Sequence, residues 1–122
     1  MKVLFVCLGN ICRSPTAEAV LCKLAVERGL MCQLEVDSAG TNGFHIGQSP
    51  DPRSIKCAAK RGIDLTRLRG RQIDRADFER FDYMIAMDNE NFRRLTVLCR
   101  EPLRGTITLL CTSAARCNYR EV

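Results

Sequence analysis

Apolar residues in this chain fall into short unbroken runs, separated by longer stretches where they recur every three or four positions. The run Val3-Leu4-Phe5-Val6-Cys7 predicts a strand buried on both faces, because no polar residue interrupts it. Beyond Ser14 and Pro15, the residues Ala17, Val20, Leu21, Leu24 and Ala25 recur at helical spacing, and Gly29 is placed to close that helix. Leu34 and Val36 alternate with Gln33 and Glu35, predicting a short second strand that ends at Asp37. Asp51-Pro52 opens a second helix with Ile55, Ala58 and Ala59 on one side and Gly62 at its end. Tyr83 to Met87 reads as a third buried strand, with Tyr83 in the core; Asn89 onward is helical until Pro102, and Ile107 to Leu110 is a fourth strand. Strands that alternate with helices pair in parallel through right-handed crossovers. The expected fold is therefore α/β, a three-layer sandwich around a four-stranded parallel sheet, formed by residues 1–122 as one domain without repeats or linkers.

Composition narrows this picture only slightly. With 122 residues, 46% of them hydrophobic, the chain can bury most of its apolar surface in one core. Its first apolar run is about seven residues long, too short for a signal peptide or a membrane span. A cytoplasmic protein with no membrane association, monomeric or weakly dimeric, is expected. The eight cysteines are irregularly spaced, which fits reduced thiols better than a disulfide framework. Cys22, Cys57 and Cys99 are read as small packing residues. The net charge of +5 would favour phosphorylated, acidic substrates. Arg67, Arg69 and Arg71, and the pair Arg93-Arg94, are not interleaved with aromatic residues, so a nucleic-acid partner is not expected.

The chemistry lies in Cys7-Leu8-Gly9-Asn10-Ile11-Cys12-Arg13-Ser14, the loop between the first strand and the first helix. Open parallel sheets place their ligands at this end of a strand. A cysteine and an arginine separated by five residues can curl round one tetrahedral oxyanion, with the backbone N–H groups of Leu8, Gly9, Asn10, Ile11 and Cys12 turned inward. Gly9 and Asn10 tolerate the positive φ that such a turn needs. The helix N-terminus adds partial positive charge, and Arg13 offers a planar fork matching two phosphate oxygens. Ser14 can cap the helix and donate to the Cys7 sulfur. A Cys7 thiolate in that field lies beneath a bound phosphate, placed for in-line attack at phosphorus. This is phosphatase chemistry, and it calls for no cofactor and no metal ion.

The run VCLGNICRSPTAEAV closely resembles the opening of the low-molecular-weight protein tyrosine phosphatases. The resemblance continues through Asp37-Ser38-Ala39-Gly40-Thr41, Ser49-Pro50-Asp51-Pro52-Arg53, Arg71-Gln72, Phe81-Asp82-Tyr83 and Ala86-Met87-Asp88, in the family's order. It implies hydrolysis of phosphotyrosine in proteins or peptides through a cysteinyl phosphate, with inorganic phosphate and other oxyanions as further ligands. It also implies that Ser38 hydrogen-bonds Asn10 and steadies the loop, and that Cys12 captures an oxidised Cys7 as a reversible disulfide. The segment from Ser38 to Pro50 has three glycines and no periodicity, and is read as an exposed loop beside the phosphate loop. Phe44 within it occupies the place where relatives carry a Trp beside the substrate ring, and is expected to form a pocket wall. His45, the only histidine, is read as a surface or hydrogen-bonded residue rather than a catalyst. Asp88 is read as a helix N-cap or a site residue.

The mechanism also needs an acid for the leaving phenolate. Relatives supply it from an Asp-Pro motif beyond the fourth strand, whereas no Asp follows Asp88 in these 122 residues and Glu121 lacks the motif. The expectation is a phosphatase domain lacking the family's acid loop and last helix, through truncation of a longer protein. Leu68 also replaces a histidine that is common in relatives. An arsenate reductase on the same fold would need cysteines near the third strand, and Asp82 to Asn91 contains none. A phosphoarginine phosphatase resembles relatives with Thr in place of Ile11, and the apolar Ile11 favours an aryl phosphate. The non-enzymatic alternative is a module that binds phosphate without turnover.

Overall fold

The computed structural model describes residues 1–99 and 106–110. The chain order is β1 (Lys2–Cys7), α1 (Arg13–Glu27), a 3-10 turn (Met31–Gln33), β2 (Glu35–Gly40), α2 (Pro52–Ala59), α3 (Asp77–Arg80), β3 (Tyr83–Ala86), α4 (Asn89–Leu98) and β4 (Ile107–Leu109). The four strands form one parallel sheet in the order β2-β1-β3-β4. This is the α/β sheet that the alternation of runs and periodic stretches predicts. The apolar run of β1 has its physical reason in this order: β1 is a central strand, paired to β2 on one side and to β3 on the other. Val3, Leu4, Phe5, Val6 and Cys7 are all buried.

α1 packs on β1 and β2, and α4 on β3 and β4. The main core cluster joins Leu4 and Val6 with Ala39, Phe78, Phe81, Met84, Ala86, Leu95, Cys99 and Ile107. α1 ends as expected, with Gly29 at φ +67° and Leu30 N–H donating to Ala25 O at 2.8 Å. α2 starts on Asp51, whose side chain accepts from Arg53 N–H, with Pro52 in its first turn.

The structure corrects several sequence expectations. β2 does not stop at Asp37; Ser38, Ala39 and Gly40 pair with Phe5, Val6 and Cys7 and are buried. Their small side chains give no apolar signal, yet they fit where the strand runs beneath the following loop. Tyr83 is 47% exposed, because it opens β3 at the end of the sheet opposite the loop, opposite Val3. Of the cysteines read as packing residues, Cys99 is buried, Cys22 is partly buried and Cys57 lies exposed on α2. Helix α3 is too short to leave a periodic signal. Pro102, the expected end of the last helix, and Glu121 lie outside the described residues.

Truncating a side chain at the centre of the sheet should therefore cost far more than truncating one at its rim. Leu4→Ala is expected to lower unfolding free energy by about 2–5 kcal/mol, through lost transfer energy and a cavity. Tyr83→Ala should cost about 1 kcal/mol or less. Urea denaturation of the two variants measures the difference.

Candidate active site

β1 delivers the chain into the loop at Cys7, and α1 takes it up again at Arg13. Between them the loop is pinned from outside by backbone hydrogen bonds. Cys7 O accepts from Thr41 N–H at 2.9 Å, Leu8 O from Asn42 N–H at 3.0 Å, and Ile11 O from Asp51 N–H at 2.6 Å. The close approach of β2 requires glycine at position 40. A Cβ there would lie 2.8 Å from Leu8 O and 3.0 Å from Gly9 C, both backbone atoms that cannot yield.

Asn10 turns the loop inward with φ +57°, the one positive φ among the described non-glycine residues. Its side chain is buried and fully used. Oδ1 accepts from Arg71 N–H at 2.9 Å, while Nδ2 donates to Ser14 Oγ at 2.8 Å and to Ser38 Oγ at 3.0 Å. Ser38 Oγ then donates to Glu18 Oε1 at 2.6 Å. These bonds order the hydrogens. A backbone N–H can only donate, so Arg71 fixes which end of the amide is oxygen. Ser14 Oγ must then accept from Nδ2, and it also lies 2.9 Å from Cys7 Sγ, where either group can be the donor. Ser14 is thus aimed at the sulfur. It is not the helix cap, which corrects that part of the sequence reading: α1 begins at Arg13, its N-cap residue is Cys12, and no side chain caps its first turn.

Arg71 is a second bracket. Its Nε and Nη2 reach Asp37 Oδ2 at 3.1 and 3.0 Å, and its Nη1 and Nη2 reach Asp77 at 3.0 and 3.1 Å. Asp77 is buried and also accepts from Asp74 N–H. The guanidinium thereby ties β2 to α3 while its backbone holds Asn10.

Arg13 Nη1 donates to Asp88 Oδ2 at 2.8 Å. Partial burial works against the Arg13 charge, but the hydrogen bond and charge of Asp88, with the Cys7 and Cys12 sulfurs nearby, outweigh it and raise its pKa. Burial likewise opposes the Asp88 charge. The N–H of Asn91 and the Arg13 guanidinium prevail, so its pKa falls below the usual carboxylate range. Asp88 Oδ1 caps α4 through Asn91 N–H at 2.8 Å, so it is both an N-cap and a partner of Arg13.

Cys7 is buried, whereas Cys12 is exposed and accepts from Ser54 Oγ at 3.2 Å. Phe44 is 82% exposed on the segment that Thr41 and Asn42 pin to the loop. Leu8 and Ile46 are exposed apolar neighbours in sequence of the same two segments. His45 bonds Gln48 Oε1 through Nδ1 at 2.8 Å, and its ring fills the space beside Gly9. Sequence reasoning missed Glu18, Asp37, Arg71 and Asp77 as supports of the loop. Only the family resemblance pointed to Ser38.

Residues 2–119 match the family model described as low molecular weight phosphotyrosine protein phosphatase. The low molecular weight phosphotyrosine protein phosphatase of Homo sapiens is 50% identical over 94 residues, covering 77% of this chain and 59% of that protein. The chain thus spans less than two thirds of the length of the first curated relatives it matches. Among solved structures, a protein tyrosine phosphatase from Entamoeba histolytica superposes with a TM-score of 0.85 at 45% identity, over 88% of this chain and 68% of that one. The Drosophila arginine phosphatase superposes with a TM-score of 0.88 at 40% identity, over 97% and 76%.

The double role of Asp88 has a pH signature. Because its folded pKa is depressed, its stabilisation is complete above the unfolded carboxylate range and is lost as pH falls through the lowered folded value. Asp88→Asn should be less stable than wild type by about 1 kcal/mol at neutral pH. The two stability curves should converge as pH drops below about 4. Thermal unfolding of both proteins between pH 3 and pH 7 (roughly the window set by carboxylate titration) checks this.

Proposed function

Because this chain belongs to the low-molecular-weight phosphotyrosine protein phosphatase family, we propose that it hydrolyses phosphotyrosine in proteins or peptides through a cysteinyl-phosphate intermediate. The observation that carries this reading is the 2.9 Å hydrogen bond between Cys7 Sγ and Ser14 Oγ, with Ser14 Oγ itself held by Asn10. A hydroxyl donating to sulfur favours the thiolate, which is the nucleophilic form.

The Cys7 thiolate attacks phosphorus in line with the tyrosyl oxygen. The S–P bond forms as the P–O bond breaks, and the phenolate leaves with a proton. Water then attacks phosphorus, the S–P bond breaks, and the electron pair returns to Cys7 as inorganic phosphate departs. The inward amides from Leu8 to Cys12 and the Arg13 fork neutralise the equatorial oxygens through both steps. Asp88 holds the guanidinium beside the loop. Phe44 and Leu8, exposed at the loop's edge, offer apolar surface to the substrate ring. The leaving phenolate takes its proton from a general acid. Cys12 serves as the redox partner of Cys7 and protects it from irreversible oxidation. Cys7, Cys12, Cys22, Cys32 and Cys57 carry no disulfide, which supports a reducing, cytoplasmic location. Among the described residues no helix is long and apolar enough to cross a membrane.

Phosphoarginine is the competing substrate, given the similarity to the arginine phosphatase. Ile11 favours the aryl ester, since a β-branched apolar side chain offers a guanidinium no hydrogen-bond partner.

Cys7→Ser is expected to reduce turnover of phosphotyrosine peptide below detection while phosphate still binds. Arg13→Lys should impair both, because an ammonium cannot reproduce the bidentate fork. Steady-state kinetics with phosphate competition distinguish these outcomes, and wild-type kcat in Cys7→Ser would refute the assignment. Without the acid, phosphotyrosine should react about 10²–10⁴-fold more slowly than with it. An activated aryl phosphate should lose least in its first step. The comparison is made on the 122-residue chain and on one extended past Val122. Equal, fast rates on both substrates without the extension would place the acid within these residues.

Mild peroxide should inactivate the protein reversibly. Peptide mapping should then find Cys7 joined to Cys12, and a free Cys12 beside a Cys7 sulfonic acid would reject the protective role.

A further inference from the structure

On the flank of α1 lies an open groove of about 250 Å³ lined by Glu18, Ala19, Cys22, Lys23, Gly62, Ile63, Asp64 and Leu68. Its walls are apolar at Ala19, Ile63 and Leu68, with two carboxylates, Glu18 and Asp64, facing the same space. Glu18 is the notable group. One oxygen accepts from Ser38 Oγ at 2.6 Å, and the other, on a half-buried side chain, is left open to the groove. Among the described residues no ion pair reaches it.

The charges facing Glu18 leave it under-compensated. From β2 comes Asp37, a like charge; from α1 come Cys22 and Lys23, and from the segment after α2 come Asp64 and Arg71. Arg71 attracts Glu18 but is committed to Asp37 and Asp77. Lys23 Nζ donates to Arg61 O at 2.8 Å. Asp64 adds further negative charge, with one of its oxygens used by Thr66. Burial, reinforced by Asp37, accordingly pushes the Glu18 pKa up.

We propose that this groove is a binding site for a small organic cation with a flat apolar body, an amidine or aromatic amine, whose charged head pairs with the open oxygen of Glu18. Apolar walls with a few convergent polar groups are the usual make-up of small-ligand sites. A planar cation can satisfy a carboxylate with two parallel hydrogen bonds. The site lies apart from the mouth of the phosphate loop but is joined to it by the ordered chain from Glu18 through Ser38, Asn10 and Ser14 to Cys7. A cation paired with the open oxygen of Glu18 draws the carboxylate towards the groove and so bears on the Ser38 hydrogen bond through which Asn10 is anchored. Occupancy thus alters oxyanion affinity at the loop, and reciprocally. The proposal goes beyond the phosphatase reading and does not depend on turnover.

The experiment is an NMR titration of the full 122-residue protein with benzamidine, and with its neutral isostere benzamide. Saturable shifts at Ala19, Ile63 and Leu68 are expected with benzamidine and not with benzamide. Glu18→Gln, which still accepts from Ser38, should weaken benzamidine by about tenfold or more. Leu68→Trp, which fills the groove while leaving the Glu18 carboxylate in the sequence, should abolish binding. Affinity should fall as pH decreases through the Glu18 titration, because only the ionised carboxylate pairs with the cation. Equal binding of benzamide, unchanged affinity in Glu18→Gln, or absence of saturable shifts overturns the site. Inorganic phosphate affinity should change when benzamidine is saturating in wild type and stay constant in Ser38→Ala. An unchanged phosphate affinity in wild type overturns the connection to the loop.

Discussion

Everything at this site hangs on one left-handed residue. Asn10 adopts a backbone conformation that costs an L-residue roughly 1–2 kcal/mol, and its amide offsets that cost with three hydrogen bonds to different parts of the chain. Without the turn, β1 would not lead into α1 with Ser14 beside the Cys7 sulfur. The same side chain also holds Ser14 Oγ beside the Cys7 sulfur. Backbone shape and the surroundings of Cys7 are thus tied to a single group, and that group is oriented by the main-chain N–H of Arg71. The arrangement leaves no freedom for the amide to flip, because the flip would bring a donor against the N–H of Arg71.

Round this centre, two arginines and three aspartates form the electrostatic frame. Arg71 is fully committed by Asp37 and Asp77, which makes it a strut between β2 and α3. Arg13 is held by a single carboxylate on one nitrogen, which leaves the other edge of its fork available for an oxyanion. The difference in commitment separates a structural guanidinium from one that can bind. Asp88 is in turn restrained by the first turn of α4, so the position of Arg13 depends on a helix across the sheet from α1.

The loop was legible in the sequence because its chemistry is contiguous: strand, Cys7, Gly9-Asn10, Arg13 and helix start lie within a dozen or so residues. The sheet was legible for a similar reason, since β1 and β3 carry unbroken apolar runs. The failures share a different cause. Ser38, Ala39 and Gly40 continue β2, but their burial comes from neighbours in β1 rather than from their own hydrophobicity. Tyr83 fits a strand pattern, yet its exposure is decided by which end of the sheet it occupies. Arg71 looked like one of three alternating surface arginines, and nothing local marks it as the residue that meets Asp37 and Asp77. Asp88 showed its cap role in sequence, because a cap is a local device; its partnership with Arg13 spans 75 positions and leaves no local trace.

Those long separations bear on how the protein acquires its shape. The bonds that set the loop bridge 28 residues from Asn10 to Ser38, 61 from Asn10 to Arg71 and 75 from Arg13 to Asp88. Closing such distances is entropically slow, and contacts of this range form after local helices. α1 can form early from its own sequence, but the turn at Asn10 gains its distant supports only when β2 and the segment at Arg71 have docked, and Arg13 gains its own only when the start of α4 has. The geometry of this loop is consequently among the last features to be fixed. A chain that has regained its helical content has not yet regained the turn at Asn10.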